Sequence, residues 1–197
     1  MAIDVILPDS GRVEATDTFR PRARALNGLG DSVAAPIYWS SFDSTVLAVL
    51  DSATGVSLAQ AVGTVELQAR VGALRSNPQI VAVLAKLDTL LLNGPDRHTV
   101  FAPDSVSDSL VVRALAIGGE AVSRRVVYAA ATYPPGGSTV TFVPKDTVFT
   151  NSTGVAAVQL RFREGTPDSV VVTAAMRRLD GTEIPGSPVT FVMEFRQ

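Results

Sequence analysis

The chain has 197 residues, 46% of them hydrophobic and 18% charged, with a formal net charge of −2. That much apolar content at so small a net charge excludes an intrinsically disordered chain, and 17 basic against 19 acidic residues exclude a nucleic-acid binder that works by bulk attraction to phosphate. With no cysteine there is no disulfide, no thiolate nucleophile and no cysteine-based zinc site.

Val, Thr and Ile make up 51 of the 197 residues, and 15 Gly and 12 Pro punctuate them. β-Branched side chains pack well on a pleated surface and lose rotamer freedom in a helix, so an all-β chain with many turns is expected. At about 150 residues per domain the length lies between one domain and two. The basic residues are lopsided, 15 Arg against Lys86 and Lys145, a bias of the kind a GC-rich genome produces.

Residues 1–10 carry neither a basic leader region nor an apolar stretch of signal-peptide length. The protein is expected to be either cytoplasmic or a mature form from which a signal or anchor has been removed. Residues 3–8 read as a first strand, or as an arm that adds to a neighbour's sheet edge. From Phe19 onward, Phe19, Pro21, Ala23 and Ala25 alternate with Arg20, Arg22 and Arg24. On one strand the three arginines would project from a single face about 7 Å apart. Such a stripe is either a solvated outer face or a surface that docks on carboxylates or lipid phosphates.

Val65, Leu67, Ala69 and Val71 alternate with Thr64, Glu66, Gln68 and Arg70. The same period recurs at Ala156–Val158–Leu160–Phe162, at Val170–Val172–Ala174–Met176 and at Val189–Phe191–Met193–Phe195. Strands with one apolar and one wet face belong to antiparallel sheets over a core. Asn27-Gly28, Gly118-Gly119 and Asp180-Gly181 fall between such runs and suit tight hairpin turns. Residues 80–92 read as the last strand of one module running into the first of the next, with a boundary near Lys86, and Asn93-Gly94-Pro95 then breaks the chain. The longest uncharged run, residues 126–144, has membrane-span length, but Pro134-Pro135-Gly136-Gly137 divides it into two buried strands around a turn.

The stretch Tyr38-Trp39-Ser40-Ser41-Phe42-Asp43 with Val46, Val49, Gly55, Ala59, Gly63-Thr64-Val65, Leu67 and Ala69 resembles the bacterial Ig-like domain of group 2. The resemblance implies that Trp39 sits on a central strand and fills the space between two sheets, with Gly55 and Gly63 in tight turns. Residues 108–116, Gly118-Gly119-Glu120, the turn Asn151-Ser152-Thr153-Gly154 and residues 169–174 resemble the invasin/intimin type of Ig-like domain, with Asn151 where Asp is usual. Residues 122–145 depart from that pattern, as an elaborated loop would. In its tandem Ig-like character, size and arginine bias the chain is also similar to the extrinsic subunit of a bacterial photosynthetic reaction centre–light-harvesting complex, although no motif carries that likeness. These resemblances imply an extracytoplasmic, non-catalytic life with no pigment or other cofactor bound by the chain itself.

Little in the residues points to chemistry. His98 is read as a solvated loop residue, without a partner in sequence for general-base work and poor provision for chlorophyll. Asp104 and Asp108 could offer oxygens to Ca²⁺, but no full ligand loop follows them. Asn151-Ser152-Thr153 matches a glycosylation sequon, a short pattern. Tyr128, Tyr133, Pro134 and Pro135 are a candidate contact loop, since Tyr gives a rigid amphipathic surface and Pro lowers the ordering cost; the alternative is a tyrosine tucked over a sandwich end.

The sequence therefore predicts an all-β fold of two tandem Ig-like antiparallel β-sandwiches, residues 1–85 and 86–197. It predicts no enzyme, no cofactor and no metal. The expected role is a scaffold subunit, peripheral to the membrane on the extracytoplasmic side, that staples or spaces proteins of a membrane-associated assembly, a photosynthetic one included. Its expected partners are other proteins and not nucleic acid, with no transmembrane segment of its own. Arg20, Arg22, Arg24, Tyr128, Tyr133, Pro134 and Pro135 are the candidate contact residues. The alternative is a surface adhesin or a carbohydrate- or protein-binding module.

Overall fold

The alternation of apolar and polar side chains is realised as strands through most of the chain. The structure, a computed structural model, describes residues 1–101, 106–135, 139–164 and 167–196. Two compact units divide the chain, Met1–Lys86 and Leu87–Gln197. The first holds β1 (Ala2–Ile6), β2 (Arg12–Glu14), β3 (Thr18–Phe19), β4 (Arg22–Leu26), β5 (Ser32–Val33), β6 (Tyr38–Ser41), β7 (Leu47–Asp51), β8 (Val56–Ala59), β9 (Gly63–Val71), β10 (Leu74–Arg75) and β11 (Gln79–Leu84). The second holds β12 (Leu87–Leu92), β13 (Arg97–Phe101), β14 (Leu110–Ala116), β15 (Gly119–Glu120), β16 (Arg125–Tyr133), β17 (Thr139–Val143), β18 (Thr147–Phe149), β19 (Val155–Glu164), β20 (Ser169–Ala175) and β21 (Val189–Arg196). The protein is all-β, with Ig-like sandwiches in tandem. No helix among the described residues is long and apolar enough to cross a membrane.

In the first unit one layer is β2-β11-β9-β6. The other is built from β1-β4-β5 and β3-β8-β7, since β3 and β4 are successive parts of one run. Val13, Trp39, Val65, Leu67, Ala69, Val81 and Val83 from the first layer meet Phe19, Leu47 and Ala59 from the second in one buried cluster. Each fully buried Val, Leu or Phe contributes about 1.5–3 kcal/mol over its exposed state. In the second unit the layers are β12-β14-β19-β17 and β13-β21-β20-β16-β18.

The two units share a plan. In each, the entering run starts in one layer, breaks, and ends in the other beside the last strand. The break lies at the single turn Pro8–Gly11 in the first unit, where Asp9, Ser10 and Gly11 have positive φ, and at Asn93-Gly94-Pro95 in the second. The returning strand pairs in parallel, β2 with β11 and β13 with β21. These two parallel pairs depart from the wholly antiparallel sheets expected. They cover an edge of the last strand that would otherwise present unpaired backbone groups.

Three further expectations need correction. Residues 122–145 are not an elaborated loop, because they supply β16 and β17, which pair with β20 and β19. Nor are these two strands wholly buried: β16 is buried only in its first half. Gly63 makes no tight turn, since it is the first residue of β9 and pairs with Val83.

Tyr128 overturns a candidate contact. It lies on β16 with 2% exposure, and its hydroxyl donates to the carbonyls of Ala156 at 3.2 Å and Leu110 at 3.4 Å in the facing layer. It joins two sheets and is not a free surface. Burial pushes its titration well above the ordinary tyrosine range. An unfolded tyrosine ionises near pH 10 while the native one stays protonated, so its contribution is complete below about pH 10 and falls by about 1.4 kcal/mol per pH unit above it. We predict that Tyr128→Phe costs about 1 kcal/mol at neutral pH. The urea midpoint of the second unit, followed by near-ultraviolet circular dichroism, should then fall less steeply above pH 10 in the variant than in the parent; equal slopes would contradict this.

Candidate functional site

Pro21 has no amide hydrogen and cannot sit inside a fully paired strand. The run predicted as one strand over residues 19–26 is therefore two. Thr18 and Phe19 pair with Leu58 and Ser57 in one sheet, and Arg22 to Leu26 pair with β1 in another. On the opposite edge of β4, β5 reaches only Ala25 and Leu26, so no strand lies alongside residues 22–24. The chain after Val33 passes Pro36 without strand pairing and enters β6. Between these segments lies an open cleft of about 640 Å³, lined among others by Arg20, Arg22, Ala23, Ile37, Trp39 and Thr54.

Trp39 forms part of its wall. It is 6% exposed and pairs with Ala69 of β9, and its amide donates to the Ser52 carbonyl at 2.8 Å. Its strand is thus at the flank of the sheet and not at its centre as expected, although the indole does belong to the core cluster between the layers. Gly55 makes this possible: its φ is +75°, and a Cβ there would lie 2.8 Å from the indole nitrogen. Beside Trp39, Tyr38 carries the Arg70 guanidinium 5.2 Å above its ring, a cation–π contact.

The three arginines of the predicted stripe are exposed, but they do not act alike. Arg24 donates from Nε to Asp4 of the paired strand β1 at 2.8 Å, an exposed pair of small net value. Among the described residues neither Arg20 nor Arg22 makes an ion pair, and both face the cleft. Near Arg20, Asp51 accepts from the Thr54 hydroxyl at 2.6 Å and from the Ala53 amide at 2.9 Å. These bonds, with a smaller contribution from Arg20, hold its carboxyl below the usual range.

Sequence reasoning read Trp39 as core alone and did not bring Tyr38, Thr54 or Arg70 to the arginines. Pro21 and Pro36, two breaks facing each other, were the available signal. Tyr133 is 49% exposed at the end of β16, with Pro134 and Pro135 exposed after it, and its carbonyl accepts the Asp168 amide at 2.9 Å. His98 is not a solvated loop residue. It lies on β13 at 7% exposure, with Nε2 3.1 Å from the Pro95 carbonyl and its ring 6.3 Å from that of Phe191. The return of β13 beside β21 turns it inward.

Asp104 falls outside the described residues, and Asp108 is exposed. Among the described residues no three of His, Cys, Asp or Glu converge as metal ligands would. Asn151 is a turn residue: its side-chain oxygen accepts from the Thr153 amide and hydroxyl at 2.9 Å each and from the Val155 amide at 3.0 Å. Asn does here what the usual Asp would do.

No family model matches the sequence, and no curated protein matches it as a relative. Among solved structures, the Yersinia pseudotuberculosis adhesin InvE is similar over 99% of this chain at 17% identity and a TM-score of 0.46; the chain spans 59% of InvE. The fibronectin(III)-like modules of Clostridium thermocellum CbhA are similar over 99% of this chain and 94% of theirs, at 12% identity and a TM-score of 0.45. Domains 4 and 5 of the S-layer protein SbsC cover 100% of this chain and 98% of theirs, at 11% identity and a TM-score of 0.40. These are likenesses of fold, and nothing in them supports a photosynthetic assembly.

The sole tryptophan reports on the first unit alone. Gly55→Ala incurs about 1–2 kcal/mol for the left-handed backbone and must also displace the indole. Gly30→Ala, with φ +89° and open space around the new methyl, meets the backbone term only. We predict that G55A lowers the Trp39-detected urea midpoint more than G30A and red-shifts the native emission; equal effects would show that the indole does not rest on Gly55.

Proposed function

We propose that the chain is a non-enzymatic binding and spacing module that works outside the cytoplasmic membrane, adhesin-like in that one sandwich offers a built cleft to a partner. The cleft at Arg20, Arg22 and Trp39 carries this proposal. Two unpaired cations beside an aromatic wall, on a sheet edge with no strand alongside, form a surface for recognition. Asp43 with Thr45, Asn151 with Thr153 and Asp180 with Thr182 each close a local turn, which serves a rigid spacer. The two units are taken as tandem modules divided near Lys86, the first of group 2 type and the second of invasin type. Tyr133, Pro134 and Pro135 are the candidate contacts of the second.

The finer placement, a staple among subunits of a membrane-associated or photosynthetic complex, rests on size and arginine bias. The cleft favours the adhesin-like reading over it. Immobilised protein, incubated with detergent-solubilised membranes and separately with envelope polysaccharide from the same cells, tests both. Saturable retention of a discrete component that salt elutes is expected, because arginine pairing is screened. Stoichiometric capture of one membrane complex would favour the staple. Retention of nothing from either fraction would contradict a binding role.

A further inference from the structure

We infer that the cleft of the first unit is a strand-addition site for an extended acidic segment of a partner protein, one whose carboxylates alternate with apolar side chains. The inference rests on the reading of the protein as a binding module and specifies the chemistry of what it binds.

Three observations carry it. First, the edge of β4 at Arg22, Ala23 and Arg24 has β1 on one side and no strand on the other. An extended segment laid there would meet unpaired backbone groups over three residues, about 10 Å of strand. Second, side chains alternate along β4: Arg22 and Arg24 are exposed, while Ala23 is half-buried against the core cluster. An added strand keeps this alternation. Side chains on its outer face would lie beside the arginines, and those on its inner face beside Ala23, Ile37 and Trp39.

Third, the charges are complementary to carboxylates. Arg24 is already neutralised by Asp4, and Asp51 is held by Thr54 and Ala53. Arg20 and Arg22 remain without ion pairs, and guanidinium forks match carboxylates. Arg70 over Tyr38 adds positive charge on the same flank and deters a basic segment. The volume of about 640 Å³ falls in the range of ligand-holding clefts.

The intact 197-residue chain carries its own reporter, because its single Trp lines the cleft. A capped hexapeptide of alternating glutamate and valine is titrated against Trp39 emission. A saturable change is expected. The double variant Arg20→Ala with Arg22→Ala, both exposed and outside the core, should weaken it about tenfold or more. N-methylation of alternate peptide amides, in one of the two possible phases, should weaken it comparably by removing ladder donors. No emission change, an equal response to the lysine–valine hexapeptide, or indifference to both methylated peptides would overturn the inference. Trigalacturonate binding where the hexapeptide does not would give the cleft to an acidic glycan instead and equally overturn it. A chain that ignores the hexapeptide yet is still retained on envelope fractions loses this inference and keeps the binding role.

Discussion

Proline at position 21 has no amide hydrogen, so the apolar–polar run through residues 18–26 cannot stay paired along both edges. The chain meets this by dividing the run. β3 holds to β8 and β4 to β1, and the two sheets part between them. Pro36 prevents the facing segment from closing the gap as a strand. Every feature of the candidate site follows from that parting: the open edge at residues 22–24, the two arginines turned to the gap, and the largely buried Trp39 that forms part of its wall.

The sandwich tolerates such an opening because other contacts hold its layers. No disulfide is available, so packing must supply stabilisation that a covalent link commonly provides at about 2–4 kcal/mol. In the first unit Trp39 rests on Gly55 and joins the cluster formed by both layers. In the second, Tyr128 spans the layers with its hydroxyl. Each unit also closes one edge with a returning parallel strand. Along β4 residues 22–24 have no such cover, and Arg20 and Arg22 face the cleft there.

Much of the strand pattern was legible in the sequence, since a period of two states which side chains face inward whatever the partner strand. That is why Phe19, Ala25, Val65, Leu67 and Val170 are buried as expected. The same period does not say where a strand changes sheets, so Arg20, Arg22 and Arg24 read as a uniform stripe although, among the described residues, Arg24 alone of the three makes an ion pair. Tyr128 and His98 were misplaced for a related reason. A polar aromatic on a strand can face either way, and for both the pairing of the strand decides. The turn at Asn151 was legible because its chemistry is local, two to four residues along the chain.

On the proposed reading the protein binds through an edge and a groove. The open edge is the central claim, and backbone amide hydrogen exchange followed by NMR tests it most directly. In an antiparallel strand successive amides point to opposite edges. Across Arg22, Ala23 and Arg24 the account predicts alternation: amides facing β1 are protected, and those facing the cleft exchange like exposed edge groups. Uniform slow exchange at all three, matching that of the interior strand β9, would mean that the edge is covered and the cleft does not exist in solution.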